Sequence, residues 1–271
     1  MATSEFAGKP ADPSILVDLQ ELEAAYYSGQ PDPSVPTQRV AFGTSGHRGS
    51  SLNTAFNEDH IVATTAAIVA FRQEQGIEGP LFMGRDTHAL SEPAFLTALE
   101  VLVAAEVDVR IDTADGFTPT PGVSHAILTW NREHPDVQAD GIVVTPSHNP
   151  PADGGIKYNP PSGGPADASM TKAIQDAANS LLAAGLDDVA RVPASRARAD
   201  ATTYDYMGTY VASLGEVIDL PAIAASGLRI GVDPLGGAAV AWWAAIGEAH
   251  GLDLTITNDT VDGRFGFMTR D

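Results

Sequence analysis

The chain has 271 residues, with 15 Lys and Arg against 35 Asp and Glu, and its net charge of −20 makes a field that repels nucleic-acid phosphates and anionic lipid. Cysteine is absent, which excludes disulfides and thiolate metal sites. No stretch reaches the roughly eighteen apolar residues of a membrane span, and the opening MATSEFAGKPADPS lacks a signal-peptide core, so the expectation is a cytoplasmic protein of two domains with neither nucleic acid nor membrane as partner.

Residues 1–38 read as an N-terminal extension: a short helical pattern (Ile15, Leu16, Leu19, Leu22, Tyr26), then the proline-rich QPDPSVPT, which holds neither a helix nor a central strand. Residues 39–186 read as a first domain. Here a helix over Asp59–Gln75 precedes the strand PLFMG, a helix over Glu92–Glu106 precedes VDVRID, and a helix over Gly122–Arg132 leads to the strand GIVVT. A loop rich in Pro and Gly then leads to a helix over Ser169–Ala184. Residues 187–203, DDVARVPASRARADATT, read as a structureless linker. Residues 204–271 read as part of a second domain: a helix over Tyr204–Ile218, the strand LRIGVD, a helix over Ala238–His250 and the strand LDLTITND. Such a β-α-β unit does not cover both faces of its own sheet. The expectation is a domain cut off part-way, with a sheet edge and the apolar helix face of Trp242 and Trp243 exposed. Alternating helix and strand means an α/β layer fold whose ligands gather at strand C-terminal ends.

The most informative segment is DGIVVTPSHNPPADGGIKYNP, residues 140–160. Pro146 and Pro150 bias Thr145 and Asn149 toward extended geometry, which holds Ser147 and His148 out at the strand's end and suits Ser147 to be a nucleophile. Gly154 and Gly155 let the chain fold back and bring the Lys157 ammonium toward the same end. The plain alternative is a proline-rich turn whose serine caps a backbone group. A second loop, AFGTSGHRGSS, residues 41–51, offers backbone N–H groups and hydroxyls at Thr44, Ser45 and Gly46, with the Arg48 guanidinium, to a phosphate. It lacks the Gly-Lys-Ser/Thr ending of a P-loop, and Gly- and Ser-rich loops are often only turns. GRDTH (84–88) and DGFTPTP (115–121) read as turns after strands, and GVDPLGG (231–237) as a tight turn before a helix, with an anion at that helix N-terminus as the alternative.

Taken in order, FGTSGHRG, GRDTHALSEPAF, DGFTPTP, GIVVTPSHNPPADGGIKYN and GVDPLGG resemble the bacterial phosphoglucomutases of the α-phosphohexomutase superfamily, from about residue 39 to the C-terminus. The resemblance implies a three-layer α/β/α domain with a mixed sheet, followed by an incomplete second α/β domain of the same kind. It makes Ser147 the phosphoserine and places Arg48 and Lys157 in functional loops, with His148 and Asn149 in the serine loop itself. It also implies Mg²⁺, held between the phosphoserine oxygen of Ser147 and an Asp-x-Asp-x-Asp-Arg loop. This chain has no such loop: VDGR (261–264) offers a single carboxylate, Asp262, where three are needed. The further domains of the same polypeptide are the expected partners.

The activity so implied is the interconversion of glucose 1-phosphate and glucose 6-phosphate through a phosphoserine enzyme and glucose 1,6-bisphosphate. Arg48 and magnesium stabilise charge, and Lys157 moves the proton of the serine or sugar oxygen. The 271-residue chain alone is expected to be inactive. Two alternatives stand beside this reading: a truncated, non-catalytic module that holds sugar phosphates, and a mutase for another hexose phosphate such as mannose phosphate. A serine hydrolase fits poorly, since His148 directly follows Ser147 and no Gly-x-Ser-x-Gly frame is present.

Overall fold

The apolar runs of the first 160 residues become strands buried on both faces. A computed structural model of the protein describes residues 7–9, 11–43 and 46–269. In chain order the elements are α1 (Leu19–Ser28), β1 (His47–Ser50), α2 (Glu58–Gln75), β2 (Leu81–Arg85), α3 (Ser91–Ala104), β3 (Val109–Asp112), α4 (Thr120–Glu133), β4 (Asp140–Val144) and β5 (Asp153–Asn159). They continue with α5 (Ala168–Ala184), α6 (Ala194–Asp200), β6 (Thr202–Tyr204), α7 (Tyr206–Ser213), α8 (Leu220–Ala225), β7 (Ile230–Val232), α9 (Val240–His250) and β8 (Leu254–Ile256).

Six strands form one sheet in the order β1-β5-β4-β2-β3-β6. The pairs β4–β2, β2–β3 and β3–β6 are parallel, whereas β5 runs against both β4 and β1, so the sheet is mixed. Side chains alternate across the pleat. Leu81, Met83, Ile142 and Val144 therefore join the core built with Ile61, Ile68, Phe95 and Ile174 of α2, α3 and α5. Phe82 and Val143 face the opposite way, onto Val123 and Ile127 of α4, Tyr206 of α7 and Trp242 of α9. That is a three-layer α/β/α arrangement. The continuous apolar reading of β2 and β4 follows from helices on both faces.

The N-terminal extension packs into the domain: Leu22 and Tyr26 of α1 are fully buried in the main core, and the Tyr26 hydroxyl donates to Thr97 Oγ1 of α3 at 2.9 Å. Two expectations change. The stretch 187–203 is not structureless. It holds α6, whose Ala197 is buried, and most of β6, which pairs with β3 at the sheet edge. An edge strand and a one-sided short helix need little apolar periodicity, and so the sequence there reads as polar. Arg191 instead pairs with Glu58 and Glu100, and Arg198 with Glu92 and Asp115, which ties this stretch to α2 and α3.

The remaining segment pairs β7 and β8 in parallel around the crossover α9. Trp242, expected on an exposed face, is 5% exposed: its indole N–H donates to the Phe117 carbonyl at 3.2 Å. The absence of a side chain at Gly122 makes room for it, since a Cβ there would lie 2.5 Å from the Trp242 ring.

Candidate active site

The site grows from the end of β4. Thr145 and Pro146 are buried, Ser147 and His148 are exposed, and Asn149 is half-buried, so the chain leaves the sheet with the serine and histidine outward. Ser147 has φ 73°, the left-handed region that non-glycine residues seldom occupy. Its amide donates to Thr145 Oγ1 at 2.9 Å. The prolines on either side favour extended neighbours, but they do not dictate this conformation.

The return is made by a turn closed from Asp153 N to Pro150 O, and the two glycines lie inside β5 rather than at the bend. They are required by close approach: a Cβ on Gly155 would stand 2.4 Å from the Thr145 carbonyl, and one on Gly154 would enter the Phe56 ring at 2.3 Å. The pairing of Val143 with Lys157 aims the lysine back along β4, and its Nζ donates to Ser147 Oγ at 2.6 Å. Across β5, Arg48 of β1 lies opposite Gly155. Its Nε donates to the Pro146 carbonyl at 3.1 Å and its Nη1 to the Gly46 carbonyl at 3.2 Å. The structure thus brings Ser147, Lys157 and Arg48 to one strand end. Burial, and then the neighbouring charge of Arg48, hold the Lys157 ammonium below its ordinary pKa, with Asp86 opposing.

The other residues named from sequence are placed differently. Thr44 and Ser45 lie outside the described residues. Gly46 does not offer its N–H to an anion, because that amide donates to the Phe42 carbonyl at 2.7 Å. Asn149 turns its side-chain amide to Asp153 Oδ2 at 2.9 Å. His148 lines a cleft of about 1020 Å³ together with Ser147, Asn149, Thr118, Leu235 and Phe265. Clefts of roughly this size hold small-molecule ligands.

The turn GRDTH reaches the site as well. Asp86 accepts from Ser91 Oγ and Thr145 Oγ1, both at 2.5 Å, and from the His88 amide at 3.0 Å. The His88 ring faces Asp86 through Nδ1 at 2.9 Å and the Asn149 carbonyl through Nε2 at 3.0 Å. Burial alone would raise the Asp86 carboxyl, but the bonds from His88, Ser91 and Thr145 overcome it and hold it below its usual value. Burial alone would likewise lower His88, but the Asp86 bond and charge outweigh it and raise the imidazole. From sequence these residues read as a capped turn. The capping is real, yet the bonds to Thr145 and Asn149 lie 59 and 61 residues away in sequence and no local pattern announces them.

The described residues do not by themselves form a magnesium site. Among them there is no group of three His, Asp or Glu side chains able to hold a metal. Asp86, beside the serine loop, is occupied by its donors, and an ammonium group faces Ser147 Oγ. Asp262 accepts from the amides of Arg264 and Gly266, closing its own turn. No helix among the described residues is long and apolar enough to cross a membrane.

The family described as "Phosphoglucomutase/phosphomannomutase, alpha/beta/alpha domain I" matches residues 39–184. The chain is similar to a phosphoglucomutase of Komagataeibacter xylinus, 55% identical over 270 residues, which are 99% of this chain and 49% of that protein. It thus spans about half the length of that relative. A crystal structure from Thermus thermophilus, of a candidate phosphomannomutase, superposes over 85% of this chain and 48% of its own with a TM-score of 0.70 at 22% identity. The open form of Paramecium parafusin does so over 88% of this chain and 45% of its own, with a TM-score of 0.67 at 19% identity. These two likenesses speak for the fold alone. With 39–184 lying inside that domain and its conspicuous loops converging on one strand end, the chain belongs to the phosphoglucomutase/phosphomannomutase family.

Proposed function

We propose that the full-length protein is a phosphoglucomutase, interconverting glucose 1-phosphate and glucose 6-phosphate through phosphorylated Ser147 and glucose 1,6-bisphosphate. The observation that carries this reading is the 2.6 Å bond from Lys157 Nζ to the exposed Ser147 Oγ, next to Arg48. In the forward half-reaction the free sugar hydroxyl forms a bond to phosphorus as the phosphorus–Oγ bond breaks. Lys157 gives its proton to the departing Oγ and is left neutral, while the attacking sugar hydroxyl loses its proton to solvent. When the bisphosphate has turned round, neutral Lys157 takes the proton of Ser147 as Oγ attacks the other phosphate; the bond from that phosphorus to the sugar oxygen breaks, and the oxygen leaves as a hydroxyl with a proton from solvent. A lysine whose ammonium is destabilised by burial and a neighbouring cation is suited to give up and regain a proton. Arg48, a fixed guanidinium beside the loop, opposes the charge of the transferring group.

Magnesium belongs to this reading through an oxygen of the phosphoserine, where it would neutralise phosphoryl charge, with its other ligands outside the described residues. The roles given to Lys157 and Arg48 do not depend on it. Glucose is favoured as the hexose because the 55%-identical relative is a phosphoglucomutase. The same reading places the protein in the cytoplasm. The test is to incubate the full-length protein with glucose 1,6-bisphosphate and map the modification by peptide mass spectrometry, alongside a coupled assay on glucose 1-phosphate. Phosphate on Ser147 with turnover is expected. Active enzyme phosphorylated elsewhere, or phosphorylated Ser147 with no mutase activity on any hexose phosphate, defeats the reading.

A further inference from the structure

A left-handed φ brings Cβ close to the backbone of a non-glycine residue and is costly, so something must hold Ser147 there. Its amide donates to Thr145 Oγ1, and that oxygen lies 2.5 Å from Asp86 Oδ2. A carboxylate offers no proton, so Thr145 gives its single hydroxyl proton to Asp86 and presents a lone pair to the Ser147 amide. The polarity of the chain is thereby fixed. On the other side of the serine, His88 Nδ1 faces the same carboxylate and Nε2 faces the Asn149 carbonyl. Both partners only accept, so the ring donates from both nitrogens, as an imidazolium. The Phe265 ring, 4.9 Å away by centroid, covers it. Closing the turn that leads into α3 explains the bonds from Asp86 to the His88 amide and the Ser91 hydroxyl. It does not explain the bonds to Thr145 and Asn149, which lead away from the helix.

We propose that Asp86 and His88 clamp the serine loop at Thr145 and Asn149, two residues before and two after Ser147, and so set the position of the oxygen that carries the phosphoryl group. They are positioning residues: neither touches Ser147 Oγ. The proposal rests on the reading of Ser147 as the phosphoryl carrier. A gripped loop keeps Oγ at Lys157, and a misplacement of about 1 Å can cost on the order of 10²-fold in rate.

The test uses the full-length protein with Thr145→Val, Thr145→Ser and His88→Phe. Valine keeps the shape of threonine and removes the relay, serine keeps the hydroxyl, and phenylalanine keeps a ring under Phe265. Thr145→Val and His88→Phe are expected to speed hydrogen exchange at the amides of residues 147–149 at least tenfold, while β4 and α2 keep wild-type protection. They should slow phosphoryl transfer from glucose 1,6-bisphosphate to Ser147 at least tenfold, with KM for glucose 1-phosphate within twofold of wild type. Thr145→Ser should stay within threefold of wild type in both. If His88→Phe does not fold, His88→Gln, which keeps one donor for Asn149, replaces it with a smaller expected effect. Wild-type exchange at 147–149 in Thr145→Val and His88→Phe overturns the clamp, as does loosening of β4 in step with the loop. A wild-type protein that takes no phosphate on Ser147 defeats the mutase reading instead, and the exchange measurements still decide the clamp.

Discussion

Replacing Lys157 by methionine separates chemistry from stability. The side chain is half-buried on β5, its Nζ is 2.6 Å from Ser147 Oγ, and its charge sits against that of Arg48. Methionine fills the same space without the ammonium. A positioned acid–base group contributes typically 10²–10⁴-fold, so kcat should fall by about 3–5 kcal/mol of transition-state stabilisation at 1.4 kcal/mol per tenfold. Stability should move the other way. The folded pKa lies below the ordinary 10.5, so the unfolded chain binds the proton more tightly. This contribution to stability is present above 10.5 and is lost as pH falls through the lower, folded value. At neutral pH the wild-type protein therefore bears the cost of the buried ammonium, and Lys157→Met removes it. A coupled mutase assay, with thermal melts at pH 7 and pH 10.5, measures both. A kcat within about twofold of wild type would refute the catalytic role. A clear fall in Tm at pH 7 would show the lysine to be a structural anchor.

Arg48→Ala should lower kcat/KM by at least ten- to a hundredfold, about 1.4–2.8 kcal/mol, and weaken inhibition by inorganic phosphate, because the guanidinium steadies the serine loop at Pro146 and, in the proposed mechanism, opposes the charge of the transferring group; unchanged phosphate inhibition would confine it to the loop. Gly155→Ala should slow turnover and destabilise the fold by about 1–3 kcal/mol in a denaturant titration, since its Cβ would meet the Thr145 carbonyl at 2.4 Å; a neutral substitution would mean that the loop gives way without consequence. Asp140→Asn tests the buried ion pair with Arg72, in which Asp140 also accepts from the Tyr158 hydroxyl at 2.7 Å. Burial already pushes the Arg72 pKa down to about 10. Leaving that charge without its partner should cost about 3–5 kcal/mol by urea unfolding, and a loss below about 1 kcal/mol would count against the pair.

Composition, periodicity and motif determined a good deal of this protein. Apolar runs such as PLFMG and GIVVT read as strands, and the helices fell between them because an amphipathic stripe is written in consecutive residues. Pro146 and Pro150 marked a stiff loop at a strand end, where Ser147 and His148 do face solvent. What the sequence left open depends on which strands become neighbours. The pairing of β1 with β5 brings Arg48 opposite Gly155, next to a loop 98 residues further on, and that of β4 with β5 turns Lys157 toward Ser147. The glycines before Lys157 looked like a hinge and are instead a place where strand and loop nearly touch. Thr202–Tyr204 became an edge strand because β3 had an open side, and Asp86 and His88 gained their bonds to Thr145 and Asn149 because β2 lies beside β4. Burial periodicity is local, so it is legible along the chain. Hydrogen bonds between segments some sixty residues apart are decided by strand order and register, and only the folded sheet supplies those.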